Sequence, residues 1–374
     1  MIYKDFQGKK LSALGLGAMR LPVVDEDNSR IDMDAVREMV AYAMEKGINY
    51  YDTAWGYHGG NSELAMGEVL SEYPRESFYL ASKFPGYDVS TLSRVEEIFE
   101  KQLEKCRVEY FDFYLFHNVC EKNIDGYLDP KYGIFDYLIE QKRNGRIKHL
   151  GFSTHGSFAT MERFLKAYGE HMEFGQIQLN WLDYEFQKAK EKVEMLKAYN
   201  IPVWVMEPVQ GGKLAVLSPE QEEILAGYRD EKAPAWAFRF LQTIPEVTVT
   251  LSGMSNMEQL KENINTYSED KPLMEKEWTV LQEFAEDMIC KTALPCTSCK
   301  YCITHCPKGI AIPQVIELYN KMHTKEPGFN LAAALADIPK DKRPSECVGC
   351  KSCEQVCPQQ IKIADMMGSI CKNM

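Results

Sequence analysis

No run of about 18 consecutive apolar residues occurs in the chain, so no membrane-spanning helix is expected. The N-terminus, MIYKDFQGKKLSALGLG, lacks the basic-then-apolar layout of a secretory signal. Positive charge is also scarce. Lys and Arg number 43 against 55 Asp and Glu, a net charge of −12, and no basic cluster interrupts that balance. This argues against a nucleic-acid partner. Low-complexity segments and long repeats are missing too. Apolar residues are plentiful at 45% of 374 positions, which suffices for a large core. An α/β barrel can use about 250 residues as one domain.

Cysteine is present in excess. Eight of the twelve fall in two runs near the C-terminus. The first is Cys296, Cys299, Cys302 and Cys306, followed by Pro307; the second is Cys347, Cys350, Cys353 and Cys357, followed by Pro358. Both read C-x2-C-x2-C-x3-C-P, the spacing that wraps a [4Fe–4S] cube. In two-cluster ferredoxins the fourth cysteine of each run crosses to the other cluster. That rule assigns Cys296, Cys299, Cys302 and Cys357 to one cube, and Cys347, Cys350, Cys353 and Cys306 to the second. Zinc ribbons also use paired C-x2-C spacings, but a trailing Cys-Pro after each triplet fits them poorly. The remaining Cys106, Cys120, Cys290 and Cys371 are scattered and read as packing residues. Together these features predict a reducing, cytoplasmic setting.

Ahead of the cysteines, from about residue 12 to 266, short apolar runs alternate with amphipathic helical stretches. DAVREMVAYAMEKG precedes INYYDTA, and STLSRVEEIFEKQLEKC precedes FDFYLFH. FQKAKEKVEMLKAYN precedes IPVWVMEP. Eight strand-then-helix units with continuous rather than alternating apolar strands predict a (β/α)8 TIM barrel. A doubly wound sheet is the alternative. The boundaries read as 1–274 for the barrel, 275–293 for a connecting helix and 294–374 for the cysteine domain. Helical stretches IPQVIELYNKMH and FNLAAALADI between the cysteine runs make the last a mostly helical ferredoxin-like module.

Barrel enzymes place their chemistry at the C-terminal ends of the strands. Asp52 ends the second strand, with Tyr57 in the loop after it; Lys83 ends the third and His117 the fourth. A free tyrosine, with a pKa of about 10, is a weak acid at neutral pH. A neighbouring lysine cation favours the phenolate. Asp52 would hold that lysine, and His117 would orient a substrate oxygen while Tyr57 donates a proton. Trp55, Tyr57, His58, Tyr87 and Trp181 would line an aromatic mouth, or serve as ordinary packing.

These residues carry a family resemblance. YDTAWGYHGGNSELAMGEVL, with Asp52, Tyr57, Ser62, Glu63 and Gly67, resembles the aldo-keto reductase signature. SKF at Lys83 and FHN at His117 are similar to the remaining catalytic positions. GLGAMRLP, GFS at 151–153, IQLN at 177–180 and GMSNMEQLKEN at 253–263 match as well. With the double cysteine run, the chain is similar to the ferredoxin-type branch of that family. The resemblance implies reduction or oxidation of a small-molecule carbonyl or alcohol with NADP(H), without metal in the barrel. It implies that Ser153 and Gln178 hold the nicotinamide carboxamide. It also implies a phosphate-binding loop at Ser252 and Gly253, adenosine contacts at Glu262 and Asn263, and a contribution from Gly211, Gly212 and Lys213.

Three departures fall in that groove. The family usually has Asn where Thr154 stands. An aromatic usually stacks on the nicotinamide where Met206 stands, beside Glu207. The basic residue that meets a 2′-phosphate is replaced near Met254, with Lys261 the first cation downstream. NAD(H) therefore remains open beside NADP(H). So does a flavin, FMN, because iron–sulfur cubes pass single electrons and nicotinamides pass hydride, whereas a flavin does both. The clusters would exchange electrons with a ferredoxin or flavodoxin carrier. The alternatives are an NAD(P)H-dependent carbonyl reductase with structural clusters, and a non-catalytic redox sensor or interaction subunit.

Overall fold

The computed structural model describes residues 1–297, 300–324, 328–357 and 359–372. It divides into two compact units: Met1–Pro208 with Asp230–Met274, and Val209–Arg229 with Glu275–Met374.

The first unit contains the (β/α)8 barrel. Eight parallel strands follow one another in chain order and close by pairing of the last with the first. They are β3 (Leu14–Gly17), β4 (Tyr50–Asp52), β5 (Tyr79–Phe84), β6 (Phe111–Val119), β7 (Ile147–Thr154), β8 (Phe174–Gln178), β9 (Val203–Met206) and β10 (Val247–Ser252). Their sequences are apolar on both faces because barrel strands face side chains inside and helices outside. Phe111–Phe116 of β6 are all buried.

The outer helices begin where a short polar side chain can cap them. Asp32 accepts from the Ala35 amide at 3.1 Å, Ser157 from Thr160 at 3.3 Å and Asn256 from Gln259 at 2.9 Å. Helix Val95–Cys106 buries Ile98, Phe99, Gln102, Leu103 and Cys106 along one stripe. It meets helix Ser62–Leu70 at Gly67, where an added Cβ would stand 2.2 Å from the Lys105 carbonyl oxygen. That close approach is why the signature needs glycine there.

Sequence periodicity did not reveal the antiparallel hairpin of β1 (Tyr3–Phe6) and β2 (Lys9–Ser12). Its turn rests on Gly8 at φ +79°. Phe6 packs edge-on against His149 and Trp204, ring centres 5.0 and 5.1 Å away, among Tyr50, Phe113 and Phe174. Tyr50 and Phe174 are the first residues of their strands, so the hairpin closes the end opposite the strands' C-termini.

The second unit is helical. Helix Glu275–Cys290 carries buried Glu277, which forms a paired contact of 2.5 and 2.6 Å with Arg229. Helices Ile312–His323, Leu331–Ala336 and Ile363–Lys372 pack a core that includes Ile312, Val315, Leu335, Ile363 and Met367. Asn320 clamps the chain entering the cysteine module: its carboxamide oxygen accepts from the Ala293 and Leu294 amides, and its nitrogen donates to the Leu294 carbonyl. Among the described residues no helix is long and apolar enough to cross a membrane.

Candidate functional site

The structure brings Asp52, Tyr57, Lys83 and His117 together at the C-terminal ends of three adjacent strands. Lys83 is wholly buried, and its three ammonium protons have three acceptors. These are Asp52 Oδ1 at 2.6 Å, the Thr53 carbonyl at 2.8 Å and the Tyr57 hydroxyl at 3.5 Å. Burial pushes the Asp52 carboxyl up and the Lys83 ammonium down, and their mutual contact opposes both shifts. The pair stays charged because each group is the other's compensation. The Tyr57 oxygen thus accepts from a buried cation.

A second buried network lies beneath Lys83. Glu63 accepts from Ser82 at 2.7 Å, Gln102 at 2.5 Å and Lys105 at 2.7 Å. Gln102 also donates to the Lys83 carbonyl at 3.0 Å, which ties the lysine backbone to the signature helix. Lys105 in turn stands 4.5 Å from the Trp55 ring centre.

His117 is aimed by a break in its strand. The β6–β7 pairing shifts register between Phe116 and Val119, and Asn118 takes φ +53°. Such bulges re-aim a side chain at a sheet end. Several side-chain bonds hold it. Asn118 donates its amide to Ser153 Oγ at 2.8 Å, Thr154 Oγ1 donates to the Val119 carbonyl at 2.6 Å, and Asn123 Nδ2 donates to the Asn118 carbonyl at 2.9 Å. His117 lies edge-on to Tyr57 and Tyr87, with ring centres 5.9 and 5.0 Å away. Burial, then Lys83 and His155, hold its imidazole well below the ordinary histidine range, so it is neutral. Its Nδ1 is buried with no hydrogen-bond partner.

Of the aromatic residues named from the sequence, Tyr57 and Tyr87 stand beside His117, whereas His58 has a packing role. His58 is buried, its Nε2 accepts from the Leu21 amide at 3.1 Å and its Nδ1 meets the Asn28 carbonyl at 2.8 Å. Those bonds make it a loop anchor. Trp181 is buried as well.

Among the expected cofactor contacts, Ser153 and Gln178 sit on β7 and β8. Ser153 accepts the Asn118 amide, and its own hydroxyl proton has no acceptor among the described residues. Gln178 is committed at both ends: it donates to Asp183 at 2.7 Å and its oxygen lies 3.1 Å from His155 Nδ1. Asn180 donates to the same Asp183 oxygen at 2.6 Å. Burial draws the His155 imidazole down to about 4, against the Gln178 contact. His155 and Asp183 were not singled out from sequence. The signal was present, since His155 follows Ser153 and Thr154 at a strand end. Thr154 departs from the family's Asn because its hydroxyl serves the bulge. Met206 offers sulfur to Gln176 Nε2 at 3.7 Å.

Ser252 ends the last strand and Gly253 leads on toward the helix Met257–Thr266. Asn263 donates to Ser252 Oγ at 3.1 Å. Glu262 is engaged by Lys232. Met254 is buried, and Lys261 lies 5.5 Å from the Tyr42 ring centre. A residue from the other end of the chain reaches this loop. The Arg20 stem crowds Gly253, where an added Cβ would lie 3.1 Å from it, and Ser255 Oγ donates to the Arg20 carbonyl at 2.9 Å. Arg20 is distant in sequence and was missed for that reason. Gly211 and Gly212 adopt φ +65° and +101° in the turn Gln210–Ala215, within the second unit.

In the second unit, Cys306, Cys347, Cys350 and Cys353 line one cavity, with Ile310 and Met367 on its wall. Cys353 is buried and Cys350 exposed. Burial, then Glu354, Cys306 and Cys347, push the Cys353 thiol up to about 11. Four cysteines on one cavity wall are a donor set of the kind a cube takes. No three His, Cys, Asp or Glu side chains among the described residues converge on one metal-ion position. Cys296, Cys302 and Cys357 all pack on the same apolar core, whereas Cys299 and Pro358 lie outside the described residues.

Among the described residues the two cysteine runs share one local turn. Lys300 and Lys351 take φ +66° and +60° and cap the short helices Tyr301–Thr304 and Ser352–Gln355.

Comparison with known proteins agrees with this anatomy. Residues 295–361 match a 4Fe-4S dicluster domain. A probable aldo-keto reductase 1 of Glycine max is 27% identical over 214 residues, 55% of this chain and 58% of its own length. The uncharacterized oxidoreductase YqkF of Bacillus subtilis is 26% identical over 75% of this chain and 95% of its own length. The crystal structure of the thermostable aldo-keto reductase Tm1743 with the inhibitor epalrestat superposes with a TM-score of 0.61 at 21% identity, covering 76% of this chain and 99% of that one. Residues 13–286 match the Aldo/keto reductase family along most of the barrel and beyond it, and the chain is an oxidoreductase that belongs to that family.

Proposed function

We propose that the barrel interconverts a carbonyl and an alcohol, with Tyr57 as the proton donor and acceptor at the substrate oxygen. The observation that carries this reading is the buried Lys83 ammonium, satisfied by Asp52 and Thr53 and directed at the Tyr57 hydroxyl. In the reducing direction the substrate oxygen gains negative charge. Tyr57 hands over its proton, and Lys83 stabilises the phenolate left behind. Asp52 keeps Lys83 in place, and neutral His117 donates a hydrogen bond that orients the oxygen. A nicotinamide nucleotide supplies hydride when bound. Ser153 has a hydroxyl proton for its carboxamide, and the Ser252–Gly253 loop with Asn263 suits its phosphate and adenosine. Replacement of Tyr57 by Phe is expected to lower kcat by about 10²- to 10⁴-fold across an aldehyde and ketone panel, with the fold intact by circular dichroism. Unchanged turnover would remove Tyr57 from the chemistry.

FMN in the same groove is the second reading. Gln178 is committed to Asp183 and His155, Thr154 is turned to Val119, and no aromatic occupies the Met206 place. These features weaken the nicotinamide case. A yellow chromophore released on denaturing anaerobically purified protein would select the flavin; its absence would select the nicotinamide.

The eight cysteines are read as ligands of two [4Fe–4S] clusters in the crossed arrangement. Their role is exchange of single electrons with a carrier protein in a reducing cytoplasm.

A further inference from the structure

The cysteine-bearing segment carries the opposite charge to the rest of the chain. Residues 294–374 contain ten Lys and Arg against seven Asp and Glu, a net +3, whereas the remainder of the molecule is at −15. Two of these cations stand at the cavity formed by Cys306, Cys347, Cys350 and Cys353. Lys308 and Lys351 are the only charged residues on its wall among the described residues. Both are exposed, and neither has a carboxylate partner among the described residues. Cys350 is exposed, and the adjoining Val348 is 60% exposed, one of the larger apolar side chains left in solvent. An exposed ligand flanked by unpaired cations and an apolar contact has the anatomy of a small redox interface, with a hydrophobic centre and a charged rim.

We propose that this face, bounded by Lys308, Val348, Cys350 and Lys351, docks an acidic one-electron carrier protein, and that the cluster held by Cys306, Cys347, Cys350 and Cys353 is the point of electron entry and exit. The proposal rests on the electron-exchange reading given above. The local charge selects the partner. The chain as a whole would repel an acidic protein, so only a basic patch can steer one to the cluster. One electron passes from the reduced carrier to the oxidised cluster, or back; no proton or atom is transferred.

The test uses the full-length, anaerobically purified protein and a small acidic ferredoxin, with basic cytochrome c as the contrast. Binding of oxidised ferredoxin is measured by calorimetry, and electron transfer from its reduced form by stopped flow. The expected result is an affinity and a rate that both fall as salt rises toward about 0.15 M. Both should also fall about tenfold or more in Lys308→Glu/Lys351→Glu. Cluster reduction by dithionite and iron content should not change. The milder Lys308→Gln/Lys351→Gln pair should fall between, which guards against misfolding of the charge reversal. Unchanged binding in both pairs, or faster exchange with cytochrome c, would overturn the docking face and leave electron exchange standing. If no protein carrier reduces the wild-type clusters although dithionite does, the electron-exchange reading fails, and the docking face with it.

Discussion

The barrel mouth and the cysteine cavity satisfy their buried polar groups by opposite means. At the barrel mouth the protein supplies nearly every partner itself. Lys83 has three acceptors, Glu63 three donors, and the β6 bulge is fastened by Asn118, Asn123 and Thr154. In the cysteine cavity four thiols line a largely apolar wall, and in the reading proposed above the partner they require is iron. A site closed by its own hydrogen bonds is preorganised before any ligand arrives. A site closed by metal–thiolate bonds is stabilised only when loaded, because metal binding is then folding free energy.

Iron removal should break that comparison most strongly. Chelation, or Cys353→Ser, is expected to unfold much of the helical core around Ile312, Val315 and Ile363. Hydrogen exchange in strands β3–β10 should stay near native. Equal loss of protection in both regions would erase the distinction. Next in size is the ion pair. Lys83→Met leaves Asp52 buried without its partner, and the expected loss is about 3–5 kcal/mol in denaturant unfolding. The double change with Asp52→Asn should recover part of it, because the orphaned charge is then gone. Gly67→Ala sharpens the packing side. A Cβ 2.2 Å from the Lys105 carbonyl forces two helices apart, for about 1–3 kcal/mol. The smallest effect concerns pH. His155 is drawn down to about 4 and His117 lies well below the usual range. The unfolded chain therefore takes up protons first, below about 6.5. Their contribution to stability is whole above that pH and declines as pH falls toward 4. Thermal melts from pH 7 to 4 should show this decline, and His155→Gln should flatten it.

The parts of this molecule legible in the sequence are those whose chemistry is local or strongly periodic. Ligand spacing in the two cysteine runs is a property of a dozen residues each, and the β-strands of a parallel barrel are continuously apolar because both faces are covered. The four residues Asp52, Tyr57, Lys83 and His117 could be ordered by strand number alone. What escaped depended on contacts between distant segments. Arg20 reaches the Gly253 loop across more than two hundred residues. His58 resembles a mouth residue until both ring nitrogens are traced to Leu21 and Asn28. The β1–β2 hairpin is too short for periodicity to register. Thr154 reads as a defect in cofactor binding until its bond to Val119 shows it holding the bulge that aims His117.

Iron, acid-labile sulfide and zinc content of the anaerobically purified chain, with electron paramagnetic resonance after dithionite reduction, test the central claim most directly. Two cubes require about eight irons and eight sulfides per chain, with paramagnetic signals appearing on reduction. A colourless protein with zinc in place of iron, or with no metal, would contradict the account.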